Sequence, residues 1–374
     1  MKKNVLLSPL PPADLGSPRP PAKPRSWQQE MKQAIRDPQT LCRQLEIPLE
    51  LGDTEAAKSF PIFAPASFIQ RIQPGNSDDP LLRQILSLPE ENDLVLNQGY
   101  QQDPLQEFSL VPAVSEAADH ANSFKASLPD RQLIQKYKNR VLLITTGACG
   151  VHCRYCFRRH YPYQSLPQDR TDWQQWLDPI ANDPSIMEVI LSGGDPLVLN
   201  DVSLARLTDR LRQIPHVRWL RIHTRMPIVI PARVTSELTE LLQGFAATTC
   251  VVHCNHANEI DVPVEHAIKR LKSAGIQVLN QAVLLRGVND NVKAMTDLSL
   301  KLIECGVVPY YLHQLDKVHG AAHFHVPLSQ GQAIMKSLHE SLPGFAVPKY
   351  VKEIPGRGYK TLVEMPEDFD ATQL

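Results

Sequence analysis

From about residue 137 the chain alternates between two kinds of pattern. Short, continuous apolar runs rich in β-branched residues fall at 141–146, 187–191, 217–223, 248–253, 276–281, 307–313 and 346–351. Between most of them lie longer stretches, 203–213, 236–243, 264–274, 292–305 and 329–342, whose apolar positions recur at helical spacing. A run that is apolar throughout reads as a strand covered on both faces. Its alternation with amphipathic helices predicts a parallel sheet with helices outside. An open doubly wound sheet and a full or partial (β/α) barrel both satisfy this pattern. In either, chemistry belongs at the carboxyl ends of the strands.

The first third is different. Residues 1–26 hold Pro9, Pro11, Pro12, Pro18, Pro20, Pro21 and Pro24 among few apolar side chains and read as an extended, disordered tail. Residues 27–136 read as a mostly helical region cut by prolines. Met31, Ile35, Leu41 and Leu45 are spaced for one face, with a break at Asp37-Pro38. Residues 137–374 then form the α/β unit.

Composition narrows the function classes. A formal net charge of −1 gives no electrostatic footprint for nucleic acid or for a membrane surface. No apolar stretch approaches the ~20 residues of a membrane span, and Val5-Leu6-Leu7 is too short for a signal peptide. Seven cysteines in 374 residues do not suggest a disulfide scaffold, so a reduced, cytoplasmic setting is expected.

Three of those cysteines carry the strongest chemical signal. Cys149, Cys153 and Cys156 stand in a C-x3-C-x2-C arrangement directly after the 141–146 run. An iron–sulfur cube is normally held by four thiolates, one per iron. Three cysteines leave one iron with open positions, and an open position is where a metal centre does chemistry. On spacing alone, three free thiols in a turn or an incomplete zinc site are the plainer readings.

Further motifs fall at strand ends. Ser192-Gly193-Gly194-Asp195-Pro196-Leu197 follows the 187–191 run, where paired glycines let the backbone approach a ligand and Asp195 would accept from an ammonium group. Alone, it also reads as a tight turn. His223-Thr224-Arg225-Met226-Pro227 and Val252-His253-Cys254-Asn255-His256 also close strands. Cys42, Cys250, Cys254 and Cys305 read as core residues. After the last run comes Glu353-Ile354-Pro355-Gly356-Arg357-Gly358-Tyr359-Lys360. A Gly-rich loop ending in lysine is an ordinary surface turn, or the means of delivering a Schiff-base lysine to pyridoxal 5′-phosphate.

The segments 149–156, 192–197, Pro309-Tyr310-Tyr311, Asp316, 320–324 and 355–360 occur in the order found in lysine 2,3-aminomutases, which the chain resembles over roughly residues 70–365. These are radical S-adenosylmethionine enzymes that also carry pyridoxal phosphate. Residues 79–84, 155–160 and 315–324 resemble one branch more closely: the elongation factor P (R)-β-lysylation proteins, which convert (S)-α-lysine to (R)-β-lysine. The resemblance implies a radical S-adenosylmethionine partial (β/α)6-type barrel behind a mostly helical N-terminal region. It implies that Cys149, Cys153 and Cys156 ligate a 4Fe–4S cluster and that Gly193, Gly194 and Asp195 hold the methionine end of S-adenosylmethionine. His253 and Gln281 would make further contacts to that cofactor. Lys360 would carry pyridoxal phosphate, with Tyr137 and Arg140 near its phosphate. Arg158 would clamp the substrate carboxylate, and Asp316 and Glu353 would receive the distal ammonium. A reductant such as flavodoxin or ferredoxin is implied, as is a functional link to elongation factor P and its lysyl-ligase.

Two departures from the fermentative branch stand out. That branch has Asp where Glu353 stands, so the extra methylene here is expected to shift the substrate and slow turnover. It also carries a late cysteine cluster for zinc; here Asn291 follows Gly287-Val288-Asn289-Asp290 and no cysteine occurs after Cys305, so no structural zinc is expected. The rival readings are an aminomutase for glutamate or ornithine, and an inactive partner of the elongation factor P machinery. Two acidic residues at the distal end argue against glutamate, and retention of the cysteines, the glycine pair and Lys360 argues against inactivity.

Overall fold

The structure, a computed structural model, describes residues 26–107, 133–165 and 173–365; the proline-rich tail apart from Ser26 lies outside the described residues. Among the described residues nine strands form one sheet in sequential order: β1 (Leu133–Tyr137), β2 (Arg140–Thr146), β3 (Glu188–Gly193), β4 (Trp219–Thr224), β5 (Ala247–His253), β6 (Gln277–Val283), β7 (Val308–His313), β8 (Lys349–Lys352) and β9 (Thr361–Leu362). β2 to β8 are mutually parallel, while β1 and β9 add antiparallel edges. The expected apolar runs are β2 to β8.

Helices Gln174–Ala181, Asp201–Arg212, Ser236–Leu241, Val262–Ser273, Val292–Glu304 and Leu328–Ser341 follow β2 to β7 in turn. A doubly wound sheet requires the strand order to reverse, and here it never does. With one crossover hand, a singly wound series puts its helices on one face and leaves the other face to curl upon itself. The carboxyl ends of β2 through β8 line a common cavity, as a curled sheet requires. Among the described residues the strand order has two free ends, so the barrel they form is open.

The strand alternation of period two divides labour between the faces. Leu143, Leu191, Ile222, Val252 and Leu312 are fully buried and share a core with helix residues such as Leu204, Leu207, Leu211, Val264, Ile268 and Leu271. The intervening positions, among them Ser192, His223, His253, Gln281 and His313, face the cavity.

Ahead of the sheet, short helices include Trp27–Gln33 and Pro38–Gln44. Asp37 caps the second by accepting from the Thr40 N–H at 2.7 Å, so the break at Asp37-Pro38 starts a new helix. Residues 133–137, which sequence rhythm assigns largely to the helical region, instead form β1. It reverses through Lys138-Asn139 to pair with β2. Among the described residues no helix is long and apolar enough to cross a membrane.

Candidate active site

The loop after β2 places Cys149, Cys153 and Cys156 together on the wall of a cavity of about 890 Å³. Earlier parts of the chain fix this loop by backbone bonds: His152 N donates to Phe63 O at 3.0 Å, and Arg154 N to Gln84 O at 2.9 Å. The Arg154 and Arg159 guanidiniums share the buried Glu91 carboxylate at 2.6 Å each. A buried carboxylate between two guanidiniums leaves neither side free to move cheaply. Arg225, fixed by Gln84 and Glu259, donates to Cys153 Sγ at 2.8 Å.

Burial, followed by the nearby Cys156, pushes the Cys149 thiol well up, and burial followed by Cys153 pushes Cys156 up to about 11. Three close thiolates therefore require a cation among them. The donor set suits an iron–sulfur cluster: three soft sulfurs on one cavity wall, with a guanidinium behind one of them.

The glycine pair ends β3 against this loop. Gly193 has φ +116°, open to glycine and strained for other residues, and a Cβ on Gly194 would stand 2.3 Å from the Ala148 carbonyl oxygen. Gly194 N donates to Thr146 O at 2.6 Å, and Asp195 N to Ala148 O at 2.8 Å. The Asp195 carboxylate already accepts from Thr224 Oγ1 at 2.6 Å, Arg225 N at 2.6 Å, Leu197 N at 3.0 Å and Met226 N at 3.1 Å. It ties β3 to β4 rather than offering a free oxygen to an ammonium group. By contrast, His253 Nε2 and Gln281 Oε1 are buried without a partner. Burial, then Arg225, lowers His253 to about 3, so its imidazole is neutral. Two orphaned polar atoms on the cavity wall fit a bound polar group.

A smaller chamber of about 240 Å³ adjoins the first and shares Arg158, His253, Gln281 and Glu353 with it. Lys360 lies here for a reason visible in the sheet register. β8 and β9 pair Val351 with Leu362 and Lys352 with Thr361, so the next pair outward is Glu353 with Lys360. The Lys360 ammonium donates to Glu353 and lies 5.8 Å from the Tyr311 ring centroid. Arg221 grips Glu188 through three contacts of 2.6–2.8 Å, and Arg140 approaches the same carboxylate at 3.8 Å. Lys136, Arg140, Arg158, Arg221 and Lys360 thus outnumber Glu107, Glu188 and Glu353, leaving a surplus of positive charge. That surplus, an apolar ring face and an amine fit a phosphorylated aromatic aldehyde. The Tyr137 side chain lies outside the described residues.

Arg158 is already engaged. Its Nε and Nη2 donate to Glu107 at 2.6 and 3.1 Å, and its Nη1 donates to Ser192 Oγ at 3.1 Å. Asp316 lines the larger cavity, where burial, then the Glu353 charge, raises its carboxyl to about 7. Sequence reasoning missed Glu91, Glu107, Lys136 and Arg221, and it gave Arg225 no role although that residue stands in the strand-end motif 223–227. None of the four missed residues belongs to a short spacing motif; only the charged position of Arg221, inside a largely apolar strand, offered a signal.

A family profile described as a 4Fe-4S single cluster domain matches residues 139–220, from the start of β2 into β4. The L-lysine 2,3-aminomutase of Escherichia coli (strain K12) is 43% identical over 347 residues, covering 91% of this chain and 94% of that one. The enzyme of the same name from Haemophilus influenzae is 42% identical over 341 residues, covering 90% and 95%. That from Clostridium subterminale is 34% identical over 342 residues, covering 90% and 77%. Among solved structures, Streptococcus suis SuiB aligns with a TM-score of 0.43 at 14% identity, over 59% of this chain and 50% of that one. The sequence likeness covers about nine-tenths of this chain, and the chain belongs to the L-lysine 2,3-aminomutase family of isomerases.

Proposed function

We propose that this protein interconverts (S)-α-lysine and (R)-β-lysine, using a 4Fe–4S cluster, S-adenosylmethionine and pyridoxal phosphate. One observation carries the reading: the three-thiol chamber and the Lys360 chamber share walls, so a radical source and an amine carrier would meet across Arg158, His253, Gln281 and Glu353. When bound, the cluster with S-adenosylmethionine supplies one-electron hydrogen abstraction, and pyridoxal phosphate supplies a π-system that carries the amino group.

The chain's own residues bind, orient and exclude. Cys149, Cys153 and Cys156 hold the cluster, with Arg225 offsetting charge at Cys153. The backbone at Gly193 and Gly194 and the free atoms of His253 and Gln281 receive S-adenosylmethionine, while Asp195 keeps that loop in place. Lys360 holds pyridoxal phosphate, with Arg140 and Arg221 toward the phosphate. Arg158 has five N–H donors, of which Glu107 and Ser192 take three; two remain for the substrate carboxylate. Asp316 and Glu353 take the distal ammonium, a pairing that favours lysine over glutamate. Holding a substrate between an Arg at one end and carboxylates at the other fixes which hydrogen faces the radical source.

The product would serve the modification of elongation factor P, on the resemblance of residues 79–84, 155–160 and 315–324 to that branch. A flavodoxin- or ferredoxin-type reductant and a cytoplasmic setting belong to the same reading. The test is anaerobic incubation of reconstituted protein with reductant, S-adenosylmethionine and single amino acids, followed by chiral product analysis. (R)-β-lysine from (S)-α-lysine is expected. Deoxyadenosine release without β-lysine, or glutamate isomerised as readily, would overturn it.

A further inference from the structure

Glu107 lies in none of the motifs, yet its carboxylate joins two cations of the smaller chamber, Arg158 and Lys136. It is buried, with its side chain 4% exposed. Its Oε2 accepts from Arg158 Nε at 2.6 Å, and its Oε1 accepts from both Arg158 Nη2 at 3.1 Å and Lys136 Nζ at 2.8 Å. Burial alone would push this carboxyl up, but Arg158 and Lys136 overcome it and hold it at about 2. Glu107 is 51 residues from Arg158 and 29 from Lys136 in sequence, so only the fold brings the three together.

We propose that Glu107 is the positioning residue of the carboxylate-reading arm, setting the plane of Arg158 and its distance from the lysine-bearing loop. This rests on the aminomutase reading above, in which Arg158 meets the substrate carboxylate. The guanidinium is held on three sides: by Glu107 along the Nε–Nη2 edge, by Ser192 at Nη1, and by the Phe157 ring 4.7 Å from its carbon. Its two remaining donors are therefore aimed, not free to rotate. Lys136 extends the arrangement, lying 3.8 Å from Glu353, which in turn holds Lys360. One carboxylate between two cations leaves a single net positive charge, enough for one incoming carboxylate. Without Glu107, Arg158 and Lys136 would repel each other, and the fork would turn toward whichever anion lay nearest.

The test uses protein loaded with pyridoxal phosphate but without reductant or S-adenosylmethionine, so nothing turns over. Cofactor absorbance is titrated with L-lysine and with 1,5-diaminopentane, which has the same amines and no carboxylate. Wild type should bind lysine more tightly. Glu107→Gln should lose at least tenfold for lysine and less than about threefold for the diamine, collapsing the preference. Glu107→Asp keeps the charge but withdraws it by one methylene, and should recover part of that preference. Parallel loss of both ligands, as a merely structural role requires, overturns the proposal, and so does an unchanged preference. Should Glu107→Gln fail to load cofactor, Glu107→Asp decides alone: a preference reduced at least threefold supports positioning, and an unaltered one refutes it. A wild type with no preference for lysine sinks the aminomutase reading and this inference with it; a wild-type preference that survives in the variants sinks only the inference.

Discussion

Replacing Asp316 by Asn should make the protein more stable and a poorer enzyme for lysine, with both effects set by one charge. In the ligand-free chain, burial, reinforced by Glu353, raises the Asp316 carboxyl from 3.8 to about 7. The stability given by holding it protonated is fully present below about 3.8 and is lost as pH rises to about 7. Above that, an ionised carboxylate sits in a poorly solvated cavity. Three pK units at ~1.4 kcal/mol each set an upper limit of about 4 kcal/mol, and partial exposure reduces the expectation to ~1–3 kcal/mol. Asn keeps the shape without the charge, so its melting temperature should exceed wild type at pH 8, and the gap should shrink toward pH 6. For turnover the sign reverses. Losing the carboxylate partner of a buried ammonium costs on the order of 3–5 kcal/mol, so kcat/KM for lysine should fall by two to three orders of magnitude. Wild-type kcat/KM should also fall about tenfold per pH unit below about 7, because the free carboxyl must ionise to receive the ammonium. The assays are melting curves on ligand-free protein at both pH values and steady-state kinetics under anaerobic conditions. A pH-independent melting gap, together with lysine turnover within threefold of wild type, would refute the assignment of Asp316 to the distal ammonium.

Anaerobically prepared protein should contain about four irons and four labile sulfides, and Cys153→Ala should abolish S-adenosylmethionine cleavage; stoichiometric zinc without iron would contradict this. Lys360→Ala should lose the borohydride-reducible link to pyridoxal phosphate yet keep its iron, because the β8–β9 hairpin and the cysteine loop are separate segments; mass spectrometry of the reduced adduct locates the lysine. Gly194→Ala forces a Cβ to within 2.3 Å of the Ala148 carbonyl oxygen, so S-adenosylmethionine affinity measured by calorimetry should drop at least tenfold while Lys360 still links cofactor. Glu91→Gln strips the shared partner from Arg154 and Arg159, and should lower unfolding free energy by about 3–5 kcal/mol in denaturant titrations.

Much of the frame was legible because the physics that fixes it is local. A strand with helices packed on one face must keep that face apolar, so β2 to β8 announced themselves as apolar runs even though their other face carries polar residues such as His223, His253 and Gln281 into the cavity. β1 did not, because Leu133-Ile134-Gln135-Lys136-Tyr137 mixes polar and apolar residues on a sheet edge and pairs through a short reversal. The apolar runs also could not choose between barrel and doubly wound sheet. That choice lies in strand order, and strand order leaves no mark on the composition of a strand.

The chemistry divides the same way. The sequence by itself determined the thiol spacing, the glycine pair and the lysine loop, because each is a pattern among residues adjacent along the chain. Only the tertiary structure decided what the charged groups do. Asp195 looked available to a ligand, yet Thr224, Arg225 and Met226, some thirty residues on, consume its oxygens. Arg158 looked like a free fork, yet Glu107 holds one edge of it. Electrostatic partners are set by distance in space and by burial, and a single sequence carries neither until the sheet has curled and brought its strand ends together.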